Sequence, residues 1–95
     1  MKQIFDFIDA NRENEIEALR KLASQPSVAA TGEGIKDCAY LVKEMLEQIG
    51  ANPKIYDIGE GSPVVAGAIK SKRNSGKTVL FYNHYDVQPP SRTSQ

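Results

Sequence analysis

Ninety-five residues make one domain or part of one. Twelve basic residues against twelve acidic ones leave no net field to draw in nucleic acid or an anionic membrane, and 40% hydrophobic with 25% charged residues are ordinary globular values. A single cysteine excludes an internal disulfide and suits a reducing compartment. The opening Met1-Lys2-Gln3-Ile4-Phe5-Asp6 turns polar too soon for a signal peptide. No apolar run approaches the roughly 20 residues needed to cross a bilayer. The expected location is cytoplasmic, with neither membrane nor nucleic acid as partner.

Residues 2–24 read as the first helix. Ile4, Phe5 and Ile8 form one apolar cluster, and Ile16, Leu19, Leu22 and Ala23 form a second at three-to-four spacing. Between them the polar stretch from Asp9 to Asn14 is either a solvated face of one helix or a bend, and the spacing leaves both readings open. Gln25-Pro26 ends the helix, because the residue before a proline is pushed out of the α region. Residues 26–33 then read as a loop.

The second helix runs to about Ile49. Its stripe is Ile35, Cys38, Ala39, Val42, Met45, Leu46 and Ile49, and Gly50 is placed to cap it in a left-handed conformation. Beyond Gly50 the texture changes to strands. Residues 54–58 (Lys-Ile-Tyr-Asp-Ile) form the first, closed by the turn-rich Gly59-Glu60-Gly61-Ser62-Pro63. Residues 64–69 form a second, more buried one. A polar connection over residues 70–77 leads to a third, the apolar run Thr78-Val79-Leu80-Phe81-Tyr82-Asn83-His84. Two helices followed by three strands give an α/β fold with a sheet covered on one face.

Three candidate features have plain explanations. Cys38 lies on an apolar helix stripe without a histidine or basic neighbour pattern, and reads as a buried, inert thiol. The basic residues Lys70, Lys72, Arg73 and Lys77 have no interleaved aromatics and read as a solvated loop. The glycines at 32, 34, 59 and 61 serve turns, since no phosphate-binding fingerprint is completed around them.

The only histidine stands apart. An extended backbone points residues two apart to the same side, so His84 and Asp86 can face one site at a strand end before Val87-Gln88-Pro89-Pro90 leaves the sheet. A neutral imidazole is a common zinc ligand, and a neighbouring carboxylate can fix its tautomer and raise its basicity.

The stretch Tyr82-Asn83-His84-Tyr85-Asp86-Val87-Gln88-Pro89 closely resembles the first metal-ligand motif of a zinc-dependent exopeptidase family. That family contains carnosine-type dipeptidases, glutamate carboxypeptidases, acetylornithine deacetylase, succinyl-diaminopimelate desuccinylase and aminoacylase. The Tyr-Asp-Val-Gln-Pro wording is most similar to its dipeptidase side. Leu22-Ala23-Ser24-Gln25-Pro26-Ser27-Val28 resembles the family's first helix running into its Pro-Ser-Val loop. Leu46-Glu47-Gln48-Ile49-Gly50-Ala51 resembles the end of its second helix. Asn83 departs from the glycine often found before the histidine.

The resemblance implies that residues 1–95 are the N-terminal, incomplete part of a three-layer α/β/α catalytic domain. It makes His84 a ligand of one zinc in a two-zinc site and Asp86 the support of its imidazole. The substrate class implied is a small peptide or an N-acyl amino acid, whose amide is attacked by a metal-activated water with a glutamate as general base. The family's bridging aspartate, its glutamate pair, its further ligands and its lid or dimerisation domain would all lie downstream of Gln95, so the 95-residue chain alone is expected to be inactive. A competing expectation is a non-enzymatic α/β interaction module that self-associates through the exposed strand Val79-Leu80-Phe81-Tyr82.

Overall fold

Three helices and one two-stranded hairpin are laid along the chain in the order α1 (Lys2–Ala10), α2 (Arg12–Ser24), α3 (Ile35–Gln48), β1 (Lys54–Tyr56) and β2 (Val64–Ala66). The computed structural model describes residues 1–59, 61–72 and 76–89. Glu60 of the expected turn, residues 73–75 of the polar connection (Arg73 among them) and residues 90–95 lie outside the described residues.

The first expected helix is two. Asn11 separates them at φ −104° and ψ 6°. Its backbone N–H donates to the carbonyls of Phe7 (3.1 Å) and Ile8 (3.2 Å), and its side-chain amide donates to Phe7 at 2.9 Å. An asparagine side chain that competes for a helix carbonyl bends the helix there. Its own carbonyl still accepts the Glu15 N–H at 3.0 Å, so the chain kinks rather than stops.

α3 is the centre of the core. It packs on α2 to one side and on β1 and β2 to the other. Ile35, Cys38, Ala39 and Leu41 are buried, together with Val28, Ala51, Pro53 and the polar Ser27. Two members of the stripe differ from expectation. Leu41 joins it because α3 is flanked on both sides, and Ile49, 62% exposed, leaves it because it lies past the last helical turn. Gly50 takes φ 83°, its N–H donates to Glu47 O (3.0 Å), and the Ala51 N–H donates to Leu46 O (3.0 Å). This crossed pair of bonds is a Schellman cap, which satisfies carbonyls that the helix end would otherwise leave open.

Gly34 begins α3 at φ 72° and lies against the loop after α2. A Cβ built there would sit 2.1 Å from the Pro26 carbonyl oxygen. Only glycine admits both the left-handed backbone and that approach.

Both strands are shorter than expected, for local reasons. β1 and β2 pair antiparallel with Lys54 opposite Ala66, Ile55 opposite Val65 and Tyr56 opposite Val64. After Tyr56 the Asp57 carboxylate accepts the Gly59 N–H at 2.9 Å, which turns the chain. At the other end the register would set Gly67 opposite Pro53, which has no N–H to give.

The expected third strand is not paired. Residues 77–86 join no ladder, and among the described residues the one bridge of this segment is the parallel one between Val87 and Val28. A strand is defined by a neighbour, and among the described residues none lies alongside this run. Val79, Leu80, Phe81 and Tyr82 are accordingly 76–86% exposed. The Cα radius of gyration, 16.3 Å, exceeds the roughly 12 Å of a compact domain of this length. The observed architecture is thus an α/β mix of three helices and two strands, with much apolar surface left uncovered.

Candidate functional site

The site is built on the extended segment after the hairpin. Of residues 76–89 only Tyr85 is not exposed. Its hydroxyl donates to the Pro63 carbonyl at the entry to β2. Two residues on, the Val87 N–H donates to Ser27 O at 2.9 Å, and the Ala29 N–H donates to Val87 O at 3.4 Å. The segment is therefore held at Tyr85 and Val87, with His84 and Asp86 turned to the alternate side.

His84 and Asp86 do meet. Nδ1 of His84 lies 3.3 Å from Oδ1 of Asp86, with the side chains 72% and 37% exposed. The imidazole also meets the Tyr82 ring in a T-shaped pair, the ring centroids 5.4 Å apart at 81°. All three side chains share one side, as the two-residue period requires. An exposed pair of this kind contributes only about 0–1 kcal/mol by itself, so the backbone anchors must set most of its geometry.

Imidazole chemistry gives the arrangement a direction. With Nδ1 against a carboxylate, the proton of the neutral ring belongs on Nδ1 and the lone pair on Nε2. Nε2 is then the atom able to take a metal. One imidazole so oriented fits one position of a zinc site. Among the described residues no group of three or more His, Cys, Asp or Glu side chains lies together to complete one.

Around the pair runs an open groove of about 750 Å³. Its walls include Leu19 and Leu22 of α2, the Pro26–Ser27–Val28 loop, Ser62 and Pro63 before β2, and the segment from Phe81 to Gln88. It is large enough for a small peptide.

The remaining expected features fall elsewhere. Cys38 is 1% exposed on α3. Burial pushes its thiol above the ordinary range, opposed by a hydrogen bond shared with the Ser27 side chain. A thiol in that state is a poor nucleophile. Tyr85 is likewise pushed up, first by burial and then by the Cys38 and Asp86 charges. Lys70 and Lys72 are exposed. Ser27 and Tyr85 were not singled out by sequence. Ser27 acts through its carbonyl to Val87 and its side chain to Cys38, and Tyr85 through its hydroxyl to Pro63, partners that residue type alone does not signal.

No protein-family model matches the chain, and no solved structure does. The chain is similar to the Cys-Gly metallodipeptidase dug1 of Schizosaccharomyces pombe (strain 972 / ATCC 24843), 31% identical over 103 residues. The match takes in 96% of this chain and 21% of that protein. The similarity is to a metallopeptidase. It spans about a fifth of the relative's length. No helix among the described residues is long and apolar enough to cross a membrane.

Proposed function

We propose that this chain is the N-terminal part of a zinc-dependent dipeptidase, with His84 as a ligand of one of two zinc ions and Asp86 as the carboxylate that orients it. The observation carrying this reading is the 3.3 Å contact between His84 Nδ1 and Asp86 Oδ1, which leaves Nε2 as the donor. The similarity to a Cys-Gly metallodipeptidase supports it and suggests a dipeptide of that kind as substrate. Zinc, when bound, polarises the scissile carbonyl and lowers the pKa of the attacking water. This chain's own part is to hold an unprotonated Nε2 at the edge of the groove and to keep the imidazole proton on Nδ1 against Asp86. The general base and the other ligands would come from residues after Gln95, and the 95-residue chain alone would not hydrolyse peptides. The compartment proposed is the cytoplasm.

The test is hydrolysis of a Cys-Gly dipeptide by the complete protein with zinc added. Activity should vanish in His84→Ala and after chelation. Full activity in that variant would overturn the assignment.

A second reading has its own observation. Four consecutive β-prone residues, Val79, Leu80, Phe81 and Tyr82, stand 76–86% exposed outside any ladder. In this reading the chain is an interaction module that binds a second copy of itself through them.

A further inference from the structure

The His84–Asp86 pair is exposed, yet its side chains meet. Something other than their own attraction must set the rotation of the backbone that carries them. Tyr85 lies between them in the chain and projects to the opposite side, where it is half-buried. Every other residue from 76 to 89 is exposed. The Tyr85 hydroxyl reaches across to the Pro63 carbonyl, a contact that ties the segment to the residue just before the hairpin's second strand. The two backbone bonds of Val87, to Ser27 O and from the Ala29 N–H, hold the segment at one residue, beyond the pair on its C-terminal side. Tyr85 supplies a second anchor between His84 and Asp86 themselves, on the face opposite the pair, and so fixes the local backbone that carries both.

We propose that Tyr85 is the positioning residue of the pair: its bond to the Pro63 carbonyl holds His84 Nδ1 against Asp86 and so keeps the neutral imidazole in the tautomer with Nε2 free. The proposal rests on the reading of His84 as a metal ligand, but its test needs no metal. Which ring nitrogen carries the proton is set by the hydrogen bond the other ring atoms find. The chain has one histidine, so a single imidazole contributes to the spectrum.

The experiment is long-range proton–nitrogen NMR of the metal-free, histidine-labelled 95-residue chain near pH 8.5, about two units above the ordinary histidine pKa. The parent should show the Nδ1–H tautomer as the majority form. Asp86→Ala should return the ring to the Nε2–H majority of free imidazole. Tyr85→Phe, which removes only the hydroxyl, should do the same while the far-ultraviolet circular dichroism stays unchanged. A Tyr85→Phe chain that keeps the parental tautomer would overturn the proposal, as would a parent already in the Nε2–H form. Should Tyr85→Phe lose its fold, Tyr85→Leu is read in the same way, since it also removes the hydroxyl that donates to Pro63 while keeping an apolar side chain on that face. Failure of the complete protein to bind zinc or to hydrolyse peptides would count against the metallopeptidase reading and would not alter these tautomer populations.

Discussion

The backbone N–H of Val87 donates to the carbonyl of Ser27 at 2.9 Å. This bond joins two stretches distant in the chain, the loop that follows α2 and the segment that carries His84 and Asp86. The Ser27 side chain meanwhile reaches the buried Cys38 on α3. Ser27 is thus the point at which the candidate site is fastened to α3, beside the Tyr85 anchor at Pro63. The site's position therefore depends on how well α3 seats against residues 26–28.

Gly34 controls that seating. Replacing it with alanine costs about 1–2 kcal/mol for the left-handed backbone alone. The new Cβ would also lie 2.1 Å from Pro26 O and 2.6 Å from Pro26 C, so the loop or the helix start must move. Gly34→Ala should lower the urea midpoint by more than the backbone cost predicts, with the slope unchanged. Amide exchange at Val87 should quicken in the same variant. Gly50→Ala is the control. Its φ of 83° carries the same backbone cost, but nothing lies within 4 Å of the added Cβ, so only the smaller loss is expected.

Alkaline pH should weaken the fold in two steps. Cys38 and Tyr85 both have pKa values raised in the folded chain, first of all by burial. A raised folded pKa means the native state holds the proton more tightly. Its contribution is complete below the unfolded pKa and is lost as pH rises through the folded one. The thiol should therefore begin to cost stability above about pH 8.5 and the phenol above about pH 10. Urea midpoints measured at pH 7, 9 and 10.5 check this. Cys38→Ala should flatten the first interval and shrink the second without abolishing it, because burial is the main cause of the Tyr85 shift and the Cys38 charge a lesser one.

Much of this was legible because it is local. The α3 stripe and the Gly50 cap follow from apolar spacing and one glycine. The pairing of His84 with Asp86 follows from the two-residue period. What could not be read depended on which partner a group finds. The kink at Asn11 depends on where its amide finds a carbonyl, and the sequence allowed a straight helix equally well. The length of β2 depends on Pro53 falling opposite Gly67, a matter of register. The run from Thr78 to His84 has every local property of a strand, yet pairing needs a neighbour that its own residues cannot specify. Ser27 and Tyr85 escaped notice for the same reason, since their roles exist only through Val87 and Pro63.

Zinc should bind this chain weakly. Complete four-ligand structural sites contribute roughly 10–16 kcal/mol, so one ligand supplies about 3–4 kcal/mol, or millimolar affinity at best. Titration of the 95-residue chain with zinc by calorimetry should show no saturation at micromolar metal. Any weak perturbation of the histidine resonances at millimolar zinc should disappear in His84→Ala. Micromolar binding would mean that further ligands converge within this chain.

The uncovered run from Val79 to Tyr82 gives the second reading a quantitative form. Fully burying one Leu or Phe side chain contributes about 1.5–3 kcal/mol, so two copies burying Leu80 and Phe81 gain roughly 6–12 kcal/mol. Association costs about 4–15 kcal/mol in lost freedom, of similar size. Any complex is then weak, and light scattering at hundreds of micromolar chain is the range in which to seek it. A rising mass with concentration, abolished in Leu80→Lys/Phe81→Lys, is the expected result. Those positions are 86% and 83% exposed, so the double variant should fold as the parent does. A strictly monomeric parent at those concentrations would remove the interaction-module reading. The apolar run would then need covering by some other surface.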